Sequence, residues 1–266
     1  MRAGAVLLLL VWLGGCASPA KRAEDRAREQ GFQRDIVQGQ AFPHVVYRNA
    51  APPGVILHVY IDSDGTPWSG SVPSADPTPR HPVMLELMGL DRSPSVYLGR
   101  PCYHGLAESP ACDPRHWTTD RYSRQVVDSL GEVVGKVLAD GRYRGVAWFG
   151  HSGGGALAVL LAARFPQTAA VVTLGANLDT AAWARFAGQD LSGSLNPVAT
   201  VSPFPSHLYQ RHYAGSDDRI VPPSVSASAA VRLGQPLTVI EGFRHGCCWA
   251  TMWPKLLKDV EAATGE

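Results

Sequence analysis

Residues 146–149 form a short apolar run that leads directly into Gly150-His151-Ser152-Gly153-Gly154. A helical pattern over 154–165 follows at once and is closed by Pro166. A strand that passes straight into a helix leaves room only for a tight turn. Glycines two residues either side of Ser152 remove the side chains that would clash in it. Such a turn presents the serine hydroxyl above the end of a sheet. The pentapeptide alone also describes a tight turn packed with glycine, in a chain that has 27 of them. The strand before it and the helix after it favour an exposed nucleophile.

The alternation around this turn extends through the chain. Residues 55–61 (VILHVYI) are almost continuously apolar, as expected of a strand covered on both faces. Residues 32–38 and 45–48 read as opening strands, 82–90 as a helix and 96–98 as a short strand. Over 120–140 the apolar residues fall at 126, 127, 130, 133, 134, 137 and 138, which is helical spacing ended by Gly141. A strand at 170–174 follows, and 207–214, 223–233, 237–240 and 252–263 continue the pattern. Strands alternating with helices predict one α/β domain over 32–266, a mostly parallel central sheet with helices on both faces. No linker divides it, and its long irregular stretch, 179–205, reads as a small lid. Lys+Arg and Asp+Glu number 24 and 23, a formal net charge of +1. That excludes a broad basic field for nucleic acid. No repeat, P-loop or dinucleotide fingerprint occurs, and the chemistry indicated calls for no metal or organic cofactor.

In its strand–turn–helix setting, Gly150-His151-Ser152-Gly153-Gly154 resembles the nucleophile turn of the α/β-hydrolase family. The resemblance implies a triad in the chain order serine, acid, histidine. Of nine histidines, those up to His151 precede the serine, and His207 and His212 lie before or within the strand expected to deliver the acid. His245, in Gly242-Phe243-Arg244-His245-Gly246, is late enough. The segment from Tyr213 to Pro222 is similar to the family's acid-bearing turn and selects Asp218, with Asp217 and Asp179 as alternatives. Backbone N–H groups of Gly153 and Asp64 would form the oxyanion hole. The Asp62-Ser63-Asp64-Gly65 turn departs from the family's usual His-Gly, which leaves Ser63 as a second candidate. The implied activity is that of a cofactor-independent serine hydrolase on small-molecule or lipid carboxylic esters, an esterase, lipase or thioesterase. A rival reading is a non-catalytic envelope lipoprotein that keeps the fold as a binding scaffold. A peptidase of the same fold is a lesser rival. Arg100-Pro101-Cys102 and the run from Trp117 to Ser123 resemble features of an exported bacterial subgroup.

The N-terminus points to export. After Arg2, residues 3–13 are uncharged and apolar, too short for a span of roughly 20 residues and suited to a signal peptide. Leu13-Gly14-Gly15-Cys16 resembles the lipobox of bacterial lipoproteins. It implies a signal peptide over 1–15 and lipidation of Cys16 by acyl chains such as palmitate. The membrane anchor would lie in the cell envelope, the following Ala17 favouring the outer membrane. An ordinary secretory signal with a chance cysteine is the alternative. Residues 16–31 read as a polar tether, solvated or loosely helical, without an apolar stripe. Four further cysteines remain in an oxidising compartment. Cys102 with Cys112 and Cys247 with Cys248 is the favoured pairing, against free thiols at 247 and 248. A zinc site at Cys102, His104, Cys112 and His116 competes. Trp68, Trp117, Trp183 and Trp249 fall in loops or at element ends, as pocket or core residues. A monomer is expected.

Overall fold

The computed structural model of the chain describes residues 17–51, 54–139 and 143–265, so the expected signal peptide over 1–15 and the lipidation at Cys16 fall outside the described residues. Eight strands build one sheet: β1 (Gln33–Gln38), β2 (Pro43–Arg48), β3 (Ile56–Ile61), β4 (Ser95–Leu98), β5 (Gly145–His151), β6 (Thr168–Leu174), β7 (Tyr209–Gly215) and β8 (Leu237–Ile240). Their spatial order is β1-β2-β4-β3-β5-β6-β7-β8. β1 pairs antiparallel with β2, and β2 antiparallel with β4. From β4 to β8 every pairing is parallel. A two-residue hairpin, Trp68–Ser69 with Val72–Pro73, stands apart from the sheet.

The near-continuous apolar strands have a direct cause. All seven residues of β5 are buried, and they alternate between two cores. Val146 and Trp148 join the core made with α3 (Arg124–Leu138) and α4 (Gly153–Ala162). Ala147 and Phe149 join the core made with α2 (Val83–Met88) and α8 (Trp249–Thr264). Helix α4 is buried along its whole length, so it carries no amphipathic stripe and behaves as a core element. A Leu161→Ala change there would cost about 2–5 kcal/mol.

Several elements differ from the sequence reading. The expected 120–140 helix starts at Arg124, because the Ser123 hydroxyl accepts from Val126 N and caps it there. The irregular 179–205 stretch contains α5 (Thr180–Ala187) and the one-turn α6 (Pro197–Thr200). Asp179 caps α5 through Ala182 N at 2.9 Å, and Gly188 ends it at φ 62°. The segment read as a solvated tether or a loose helix is a docked helix, α1 (Pro19–Glu29). It packs on the domain through Ala23 and Ala27, and Ala20 N donates to Asp76 Oδ2 at 2.9 Å. Two alanines four residues apart make an apolar face too small to stand out in a charged run. The last helix of the layer, α7 (Pro223–Arg232), covers the α3/α4 side.

Cys102 is bonded to Cys112 and Cys247 to Cys248, with Cα–Cα distances of 5.7 and 3.7 Å. The zinc reading fails with the first bond, which consumes both thiols. His104 packs edge-on against Tyr47 and Tyr97, and His116 Nδ1 accepts from Asp113 N. Among the described residues no cluster could hold a metal ion, and no helix is long and apolar enough to cross a membrane.

Candidate active site

Ser152 stands between β5 and α4 at φ 54° and ψ −123°, a backbone region that L-residues avoid. Its N–H donates to Leu174 O at 2.9 Å, which ties the turn to the end of β6. Gly154 is what permits the turn to sit this deep, since a side chain there would run into the backbone of Ile61 and Asp62 at the end of β3. The Ser152 turn and the start of the 62–65 turn are therefore in contact.

Asp218 follows β7, and His245 lies in the loop between β8 and α8. His245 Nδ1 is 2.8 Å from Asp218 Oδ2. Asp218 Oδ1 accepts from Ile220 N at 2.9 Å and Val221 N at 2.8 Å, which fixes the buried carboxylate in one orientation. The two alternative acids stand elsewhere. Asp217 is exposed and accepts from the Ser216 hydroxyl, while Asp179 is spent on Ala182 N and Asn196 Nδ2. Gly175, after β6, makes room for the pair: a Cβ there would lie 2.9 Å from Asp218 Oδ2.

The His245 loop is held by its own backbone. The His245 carbonyl accepts from His151 Nε2 at 2.8 Å and from Trp249 Nε1 at 2.9 Å. His151, the variable residue of the G-x-S-x-G turn, thus ties the serine's turn to the histidine's loop. The two rings lie 4.7 Å apart between centroids. Burial pushes the His245 imidazole below its ordinary value; the hydrogen bond to Asp218 opposes this, and the neighbouring His151 adds to it.

Gly153 and Asp64, the two backbone donors expected from sequence, are brought against one another. A side chain at Gly153 would collide with the Asp64 carboxylate and the Tyr122 hydroxyl. Ser63, the reserve candidate, accepts from Gly65 N through its hydroxyl and borders the same cavity. The Asp64 side chain itself was unforeseen. It is buried and ion-paired to Arg100 and Arg121, the latter at 3.0 Å, and the Tyr122 hydroxyl donates to both its oxygens. The Tyr103 hydroxyl donates to the Asp64 carbonyl at 2.8 Å. Burial would raise the Asp64 carboxyl, but the two guanidiniums outweigh it and hold it down to about 2. Arg100 and Arg121 fall in two segments singled out from sequence, Arg100-Pro101-Cys102 and the run from Trp117 to Ser123. Neither segment named a partner for them.

Ser152 and His245 open into one cavity of about 560 Å³. Trp68, Trp183, Phe186 and Ile220 supply its apolar wall, and Arg121 and Gln189 its polar one. Of the four tryptophans singled out from sequence, Trp68 and Trp183 face this cavity, whereas Trp117 and Trp249 are core residues. A second groove of about 820 Å³ runs along residues 216–220 and 244–247 and also borders Asp218 and His245.

No protein-family model matches the sequence, and no curated protein does. Solved structures do match. An α/β serine hydrolase without a lid from Xanthomonas campestris is 15% identical with a TM-score of 0.52, over 87% of this chain and 93% of that one. A membrane phospholipase A described as a bacterial virulence factor is 15% identical at a TM-score of 0.58, over 91% and 92%. The α/β hydrolase GrgF from a Penicillium species is 11% identical at a TM-score of 0.61, over 88% and 100%. Together with the mostly parallel eight-stranded sheet, these likenesses give the chain the α/β-hydrolase fold.

Proposed function

We propose that this chain is a serine hydrolase acting on carboxylic esters, with Ser152 as nucleophile, His245 as general base and acid, and Asp218 as its partner. One observation carries the reading. A histidine hydrogen-bonded to a buried, doubly held carboxylate shares a cavity with a serine kept at positive φ. Nδ1–H of His245 donates to Asp218, which leaves Nε2 free to take the Ser152 proton as Oγ attacks the ester carbonyl. The carbonyl π pair moves onto oxygen, and the resulting oxyanion is met by the N–H groups of Gly153 and Asp64. Collapse expels the alcohol, which receives the proton from His245. Water then attacks the acyl-enzyme by the same route, releasing the acid and restoring Ser152. The solved structures point to hydrolases, and the phospholipase among them favours a lipid or similar ester as substrate.

Labelling with a fluorophosphonate probe tests the mechanism. Wild-type protein is expected to react at Ser152, and Ser152→Ala to lose both labelling and ester turnover while remaining folded by circular dichroism. Wild-type turnover in the purified alanine variant would defeat the assignment. Cys16 is proposed as the lipid attachment site that holds the enzyme in the envelope. Metabolic incorporation of a labelled fatty acid into wild type, and its loss in Cys16→Ser, would support that anchor; an unlabelled wild type would reject it.

A further inference from the structure

Two guanidiniums and one carboxylate are buried together beside Ser152. Arg100, Arg121 and Asp64 are 3%, 2% and 8% exposed. Among the described residues Asp64 is the one acid within ion-pair distance of either arginine. Burial raises the Tyr103 and Tyr122 hydroxyls, Tyr103 to about 12, so neither ring supplies a second negative charge near neutral pH. The cluster therefore holds a surplus positive charge. A buried charge left unpaired costs several kcal/mol, and an anion in contact with it recovers much of that.

The surplus faces the cavity. Arg121 gives Nε to Thr118 O at 2.6 Å and one Nη1 hydrogen to Asp64, and Nη2 lies 3.5 Å from Gln189 Oε1, at the limit of a hydrogen bond. Donor hydrogens remain on Nη1 and Nη2, and Arg121 lines the same cavity as Ser152. Arg219 stands exposed at the mouth, and Asp64, already committed to both arginines, is the one acid among the lining residues. A planar fork with unfilled donors fits a carboxylate or a phosphate.

We infer that the cavity selects esters carrying an anionic oxyacid group, a carboxylate or phosphate, placed to meet Arg121 while the ester carbonyl meets Ser152. The inference rests on the serine-hydrolase reading and adds the substrate's charge to it. The apolar wall takes the chain of such an ester, and the arginine takes its charged end.

The full chain is assayed with two esters of equal acyl length, 4-nitrophenyl pentanoate and the mono-4-nitrophenyl ester of glutaric acid. The anionic ester is expected to have a kcat/KM about tenfold higher, equivalent to about 1.4 kcal/mol, with the difference mostly in KM and shrinking as salt is added. Arg121→Gln should erase the preference, and Arg121→Lys should keep part of it. A second arm compares a 1-acylglycerol with the matching 1-acylglycerol 3-phosphate, and so separates a lipid phosphate from a carboxylate source. Should the Arg121 variants fail to fold, glutarate and inorganic phosphate on wild type serve instead: competitive inhibition of the neutral ester supports the inference, and its absence at millimolar concentration overturns it. Equal or faster turnover of both neutral esters overturns it alone. Absence of turnover on every ester, with Ser152 unlabelled by the probe, overturns the hydrolase reading together with it.

Discussion

At the scale of single residues, the acid is where the assignment is sharpest. Asp218→Asn keeps the Oδ1 contacts to Ile220 and Val221 but presents an amide to His245 Nδ1, so the wrong tautomer results. Turnover is expected to fall by roughly 10³–10⁴, while Asp217→Asn, on an exposed side chain, leaves it near wild type. Steady-state kinetics on the two purified variants check this; reversed losses would move the acid by one residue. The pH profile follows from His245. In the proposed mechanism its imidazole must be neutral to accept the Ser152 proton, and burial shifts it below the ordinary value of 6.5. The acid limb of kcat/KM is therefore expected below pH 6.5, with activity falling as pH falls. The candidates Ser152, Asp218 and His245 could be named from sequence because each sits in a short local motif, and the structure brings His245 and Asp218 within hydrogen-bond distance and His245 and Ser152 to one cavity. The Asp64 cluster could not be named in this way. Its charges come from positions 36 and 57 residues apart from Asp64, and an arginine in sequence reads as solvated until its partner is known.

At the scale of elements, the loop between β8 and α8 concentrates the dependencies of the site. His245 lies two residues before the bonded pair Cys247–Cys248, and Cys248 is exposed. The bond stiffens the chain just where the imidazole is aimed, and such constellations tolerate only about 0.5 Å of looseness. Mild reduction is expected to lower kcat before it lowers the melting temperature. Alkylation at 247 and 248, mapped by mass spectrometry, identifies the bond responsible. Full alkylation with unchanged kcat would remove the loop's redox dependence. Helix α1 offers a second test. Ala27→Glu places a charge against the core and should cost about 2–4 kcal/mol in urea unfolding; a cost near zero would mean that α1 is not docked in solution. The strands and the long helices were readable from their apolar period. Helix α5 was missed although Asp179 and Gly188 are proper start and stop signals. Its eight residues hold four alanines, and such a helix shows its face only once a neighbour covers it.

For the molecule as a whole, three buried histidines set the pH range of stability. Burial lowers His44, His104 and His212 from 6.5 to about 4. In the unfolded chain they titrate near 6.5, so the unfolded state binds more protons between those values. Their contribution is complete above pH 6.5 and is lost as pH falls toward 4. Denaturation midpoints measured from pH 7.5 to 4 should decline across that window, and His212→Asn, which keeps a donor and an acceptor among Thr173 and Gln210, should flatten the slope. The α/β class was legible from alternation alone. The strand order was not, because which strands lie side by side depends on crossovers that leave no periodic trace. One feature of the turn after β5 bears on how such a chain fares over generations. Ser152 at φ 54° burdens each folded copy with about 1–3 kcal/mol of backbone strain that a glycine would relieve. Ser152→Gly is expected to melt a few degrees higher than wild type, so a lineage selected for folding alone would drift toward it. On the proposed mechanism, a serine at this position marks selection for reactivity over robustness.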